Sequence, residues 1–336
     1  MIKQASSTLI DFTEAIYDLE MEDGAWIPNL LQVGLPILDR GLGVAAIAYT
    51  RDPSAPDFAV HQKFRGSGPL DLLPRLDRML TEWPREVYRE LLRPGIVSSL
   101  SDAAADHPEC LEACRRHIDG CRDVFGMTAV DPNGLGILLI AFLPKVTRLK
   151  GPDRRLWKMV GAHVAAGHRL RRAIVTAEST TGLPRDAEAV IDPTRLQLTD
   201  AAGLAQNKAA AHALREGAVR IDRARGKTRK SDPAGAIEMW KGLTEGRWSL
   251  VDWFDSDGRR FMLALPNAPA VTDPRGLSER ESLVVTYAMN GDSMKLIGYR
   301  LGISKGSASV ALKRSMRKLG VKTRAQLIER FRAFEG

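Results

Sequence analysis

Ile303–Leu319 reads ISKGSASVALKRSMRKL. Ser304 near its start is a good helix N-cap, because its hydroxyl can accept from one of the backbone N–H groups that a first turn leaves unpaired. Ala308, Leu312, Met316 and Leu319 then recur at spacings of four, four and three, which lines them along one face of a helix. The other side carries Ser309, Lys313 and Arg317, with Arg314 and Lys318 beside them. A helix with a dry face and a cationic face can pack on a small core while presenting charge outward, and phosphates and base edges ask for that arrangement. The pattern predicts the recognition helix of a helix-turn-helix.

The residues around it supply the rest of such a module. Ser278 and Glu281 have the S-x-x-E spacing of a capping box, ahead of Leu283, Val284, Tyr287 and Ala288 on a first amphipathic helix. Asn290-Gly291 closes that helix. Ser293 can cap a second, with Leu296, Ile297 and Leu301 on its core side, and Gly302 ends it. Gly320 stops the third helix, and Thr323 starts a fourth over Arg324–Phe334. Charge follows the same boundary. Of 49 Lys+Arg and 41 Asp+Glu, the segment from Arg275 onward holds 13 and 5, which leaves 36 of each sign elsewhere. The net charge of +8 therefore sits wholly on this module, and a basic module on a neutral body points to a polyanionic partner for that module.

From Leu277 to Ile328 these residues resemble the LuxR/FixJ/GerE class of helix-turn-helix transcriptional regulators. The L-[ST]-x-R-E opening of that class is Leu277-Ser278-Glu279-Arg280-Glu281. Its G-x-[ST]-x-K-x-I-A-x-x-L-G-I-S run corresponds to Gly291 through Ser304, and its R-K-L-G-V close is Arg317 to Val321. The resemblance implies an all-α four-helix domain that binds double-stranded DNA, commonly as a homodimer. Carried over by position, it puts Lys295 and Ser307 on phosphate and Ser309, Val310, Lys313 and Arg314 at base edges in the major groove. Ser304, Arg317 and Lys318 complete the expected DNA-binding set, and the fourth helix contributes dimer contacts. Where the family usually has Val, Lys/Arg and His, this chain has Ala308, Ser309 and Ala311, which predicts altered or weakened base readout. The alternative reading is a regulatory protein-interaction module with a degenerate helix-turn-helix.

Upstream, 44% hydrophobic and 27% charged residues suit globular domains with proper cores. The longest apolar run, Leu135 to Leu143, is far short of the ~20 residues a membrane helix needs. MIKQASSTLIDF at the start turns polar at once, so a cytoplasmic chain with no membrane partner is expected. Helical periodicity over Ser7–Leu19 and Trp26–Leu38 precedes a hairpin in GVAAIAYTRDPSAPDFAVHQKF, bent at its Pro/Asp/Ser turn. Helices are expected over Pro69–Leu80, Pro84–Leu92 and Pro108–Ile118, with a strand at Gly95–Leu100. A second hairpin, Val124–Val130 and Gly136–Leu143, turns at DPNG, and a long helix runs from Pro152 to about Val175. Leu156, Val160 and Val164 on that helix are candidates for dimer contacts.

This order predicts an α+β fold with an antiparallel sheet over residues 1–177. With its GVAAIAY and DPNGLGILLIAF hairpins it resembles a GAF-type sensory domain, which implies a small-molecule ligand enclosed by sheet and helices. The pattern of cyclic-nucleotide-binding GAF domains is absent. Residues 186–266 form a middle α+β module: a hairpin with DPT at its bend, a helix over Ala202–Arg225, a basic break, a helix over Pro233–Leu243, and a hairpin turning at Ser256-Asp257-Gly258. Its element order suggests a reduced PAS-like module. Pro266, Pro269 and Pro274 mark a stiff linker over 267–276, ahead of the helix-turn-helix domain at 277–336.

Other clusters carry less. His107, Cys110, Cys114, His117 and Cys121 form a metal-like cluster, and on a helix the last four would share one face, but structural zinc usually draws ligand pairs from two separated elements. Packing is the favoured reading, with metal binding or redox sensing left open. Gly226-Lys227-Thr228 lacks the first glycine of a phosphate-binding loop, since Ile221 stands there. No nucleophile elbow, zinc-protease motif or paired-carboxylate context occurs, so neither an enzyme nor a bound cofactor is expected.

Overall fold

Leu135–Leu143, the longest apolar run, is a strand with a neighbouring strand on each side. The computed structural model describes residues 2–51, 58–92, 95–131, 134–176, 181–267 and 277–332. It divides into two units, Met1–Ile16 with Glu20–Ala165, and Tyr17–Leu19 with Ala166–Gly336.

In the first unit, α1 (Ile2–Ile16) and α2 (Asp23–Leu38) precede β1 (Val44–Arg51) and β2 (Phe58–Arg65). Next come α3 (Leu72–Thr81), α4 (Arg85–Leu91), β3 (Val97–Ser99), α5 (Leu100–Ala103) and α6 (Pro108–His117). The chain then forms β4 (Asp123–Val130), β5 (Leu135–Leu143) and the start of α7 (Gly151–Thr176). The strands build one antiparallel sheet in the order β2-β1-β5-β4-β3. Ala45, Ile47, Ile140 and Phe142 point from one face into a core with Leu72, Leu76 and Met79 of α3. From the other face Phe125 meets Trp157 of α7, ring centroids 5.0 Å apart. Helices thus cover both faces, which is why β5 reads as a continuous apolar run and not as an alternation. Among the described residues no helix is long and apolar enough to cross a membrane.

Two expectations change here. Helix α6 ends at His117, so Cys121 lies beyond it and the histidine–cysteine cluster does not share one helical face. Cys110, Cys114 and Cys121 are buried in the core, while His107 pairs with Glu109 and His117 with Glu82. Burial pushes the Cys110 thiol up to about 11, so it is not a reactive thiolate. Val160 and Val164 are completely buried within the chain and offer no dimer surface. The tips of both hairpins, residues 52–57 and 132–133, lie outside the described residues.

The second unit begins its sheet with β6 (Ala189–Asp192) and β7 (Gln197–Ala201). Helices α8 (Lys208–Arg225), α9 (Thr228–Ser231) and α10 (Pro233–Met239) follow, then β8 (Trp248–Phe254) and β9 (Arg260–Pro266). The strands pair antiparallel in the order β7-β6-β9-β8. The helix expected from Ala202 starts only at Lys208, because Asn207 caps it by accepting from the Ala209 N–H at 2.8 Å. The helix expected to reach Leu243 stops at Met239 and releases Trp240 into the core. A single turn, α9, occupies the expected basic break. Most of the expected linker, residues 268–276, lies outside the described residues. The unit closes with α11 (Glu279–Met289), α12 (Met294–Leu301), α13 (Lys305–Lys318) and α14 (Arg324–Arg332), the last residues of the expected fourth helix again being outside the description.

Candidate nucleic-acid interface

Local chemistry starts each helix of the C-terminal segment where the sequence puts a serine. The Ser278 hydroxyl accepts from the Glu281 N–H while the Glu281 carboxylate accepts from the Ser278 N–H, a complete capping box. Ser293 and Ser304 cap α12 and α13 in the same way, Ser304 accepting from the Ser307 N–H at 2.9 Å. Between α12 and α13 the chain reverses in three residues. Gly302 makes this possible with φ +66°, a left-handed conformation that costs a side-chain-bearing residue dearly.

Two small cores hold the helices together. Leu283, Val284, Tyr287 and Ala288 of α11 pack on Ile297 and Leu301 of α12 and on Ala308 and Ala311 of α13. Leu277, Val285, Val321 and Leu327 form the second, edged by Met316 and Leu319. Asp292 and Arg300 form a buried ion pair at 2.7 Å, with side chains only 3% and 7% exposed, and Arg300 also lies over the Tyr287 ring. So little exposure makes each partner dependent on the other. Burial alone would raise the Glu281 carboxyl, but Lys318 and the Ser278 amide outweigh it and hold it below the usual carboxylate range.

The back of α13 is formed by Ala308, Ala311 and Ser315, with Leu312, Met316 and Leu319 half-buried beside them. The Ser315 hydroxyl satisfies itself on the Ala311 carbonyl at 2.9 Å. The dry face therefore keeps the four residues that the spacing predicts and adds Ala311 and Ser315, with its deepest positions held by small side chains. Ala308 and Ala311 lie on it, so their departure from the family pattern removes no outward-facing group. Of the three departures only Ser309, half-buried and bonded to the Lys305 carbonyl, stands toward the outside.

The outward face presents Ser304, Ser307, Val310, Lys313, Arg314 and Arg317, all exposed. Lys313, Arg314 and Arg317 make no ion pair among the described residues. The two other cations of the expected set are held. Lys318 binds Glu281 at 2.6 Å, and Lys295 binds Glu238 of α10 at 2.8 Å. Short-capped helices, a three-residue reversal and an unpaired cationic strip are the makings of a helix-turn-helix.

Residues 275–331 match the family model described as bacterial regulatory proteins, luxR family. This segment is a LuxR-type helix-turn-helix domain. The match spans about a sixth of the chain, and no curated protein matches the chain. A LuxR-type domain implies DNA binding and transcription regulation.

The LuxR-type domain also leans on the segment before it, through residues that the sequence reading missed. Tyr299 of α12 is 3% exposed, its hydroxyl lying 2.7 Å from the Ile237 carbonyl and 2.9 Å from that of Trp240. Burial pushes this phenol well above its ordinary range, so it stays a neutral donor. Leu243 joins the core of α11, α12 and α13. Arg280 donates to the Glu245 carbonyl at 2.7 Å and to its carboxylate at 3.1 Å. A Cβ on Gly302 would stand 1.7 Å from the Leu243 carbonyl oxygen, so the glycine serves this close approach as well as the turn. The one available signal was Tyr299, a large aromatic at a position the family pattern leaves unspecified.

Proposed function

We propose that the chain is a sequence-specific DNA-binding transcriptional regulator whose LuxR-type domain places α13 in the major groove. The observation that carries this reading is the strip of Lys313, Arg314 and Arg317, exposed and without ion pairs on a helix whose back is buried. Lys and Arg set register on phosphate, with Ser304, Ser307 and Lys295 at the flanks, while Ser309, Val310, Lys313 and Arg314 meet base edges. A homodimer on two half-sites fits this geometry of recognition, with α14 as the candidate contact. Residues 1–177, which include the first unit, act as a GAF-like sensory region. Its antiparallel sheet, covered by helices and bordering a cavity of about 500 Å³, supports that role.

The test is a duplex selected from random sequence by the full chain. Lys313→Ala with Arg314→Ala should weaken binding to it by about a hundredfold at physiological salt, while circular dichroism stays unchanged, since each good base-edge contact contributes roughly 1–3 kcal/mol. Unchanged affinity would sink the recognition-helix assignment. Wild-type affinity should fall steeply with added salt, whereas an apolar protein-partner surface would hold its affinity.

A further inference from the structure

The cavity of the first unit lies between the sheet and helices α3 and α4. Ile47, Leu138 and Ile140 line its sheet side, and Leu80, Trp83 and Tyr88 its helix side. At about 500 Å³ it falls within the roughly 300–1,000 Å³ of small-molecule sites. Charge in the lining is largely cancelled, because Lys63 pairs with Asp77 and Arg85 is exposed to water. A charged ligand group drawn inside would find no buried counter-ion.

The polar groups of the wall differ in one respect. The Tyr49 hydroxyl donates to the Leu92 carbonyl at 3.3 Å, and that of Tyr88 to the Leu80 carbonyl at 2.6 Å. Trp83 is 9% exposed, yet its indole N–H is buried with no hydrogen-bond partner. A buried, unpaired donor is a standing penalty that an acceptor oxygen on a ligand would remove. Across from the helices, β4 places Gly126 in the lining, where an added Cβ would meet nothing nearer than 3.9 Å.

We propose that this cavity binds an uncharged, mainly apolar small molecule that accepts a hydrogen bond from Trp83 Nε1. The site rests on the sensory reading of this unit and gives it a ligand class. Such a ligand enters by burying apolar surface and is oriented by one polar contact, so its selectivity lies in where its oxygen sits along the apolar body.

The experiment titrates the full chain with a dialkylaminonaphthalene ketone, whose emission moves to the blue in an apolar site. Saturable binding at one site is expected. Gly126→Leu projects a side chain into the cavity from β4, its Cβ meeting nothing nearer than 3.9 Å, and should weaken binding by at least about tenfold, with the melting temperature maintained. Trp83→Phe should weaken the ketone by about tenfold while leaving the parent amine, which lacks the carbonyl, unchanged. No saturable binding, full binding by Gly126→Leu, or an equal loss for ketone and parent amine in Trp83→Phe would each overturn the proposal. So would decanoate competing better than its methyl ester. Probe binding that leaves DNA affinity unaltered would instead overturn the sensory reading and leave the site standing.

Discussion

Glu281 links two helices of the LuxR-type domain by one carboxylate. It accepts from the Ser278 N–H at 2.9 Å, closing the cap of α11, and holds Lys318 of α13 at 2.6 Å. Its folded-state carboxyl sits below its ordinary value of 4.5, so the charged form is the one that folding favours. The resulting stabilisation is complete above pH 4.5 and fades as pH falls through the lowered value. Glu281→Gln keeps a capping side chain but loses the charge. Thermal unfolding of the full chain should therefore show the variant about 1 kcal/mol less stable at neutral pH, with the gap closing under acid conditions. A gap that stays constant from neutral pH to pH 3 would mean that packing, not charge, is what the substitution removes.

At the level of the helix, α13 shows what could be read in advance and what could not. Its start was legible because Ser304 competes for the backbone locally, and the same holds for Ser278 and Ser293. Its cationic strip was legible from spacing alone. Its dry face was legible in Ala308, Leu312, Met316 and Leu319, but Ala311 and Ser315 were not, because periodicity weights large apolar residues, whereas close helix packing selects small ones. Ala308 and Ala311 pack in the core shared with α11 and α12, and Ser315 can be buried because its hydroxyl bonds inside its own helix. That geometry predicts the cost of enlarging the seam. Ala308→Leu should destabilise the domain by roughly 1–3 kcal/mol in urea unfolding, the usual cost of overpacking. Ser315→Ala, which removes a hydroxyl satisfied within the helix, should change stability by less than about 1 kcal/mol. Equal tolerance of both changes would place the packing seam elsewhere on α13.

Across the second unit, the LuxR-type domain is held by the segment at 237–246. Tyr299, Arg280 and Lys295, with Leu243 contributed to the core of α11–α13, tie it to Ile237–Gly246, some sixty residues upstream in the case of Tyr299. Hydrophobic periodicity could not show this, since Tyr299, Arg280 and Lys295 are each compatible with an exposed place on their own helix. The consequence is that Lys295, a phosphate contact by family position, is already neutralised by Glu238. Both side chains are about half exposed, at 53% and 47%, so the pair is worth about 1 kcal/mol or less. Releasing it should accordingly have a small but directional effect. Glu238→Gln is expected to raise affinity for non-specific duplex by a few-fold, because the Lys295 charge no longer has to leave a carboxylate to reach phosphate. Tyr299→Phe should loosen the docking itself, seen as faster hydrogen exchange in α12 and in residues 237–246 while α11 and α13 keep their protection. If Glu238→Gln leaves duplex affinity unchanged over a range of salt, Lys295 does not reach phosphate, and its place in the DNA-binding set falls.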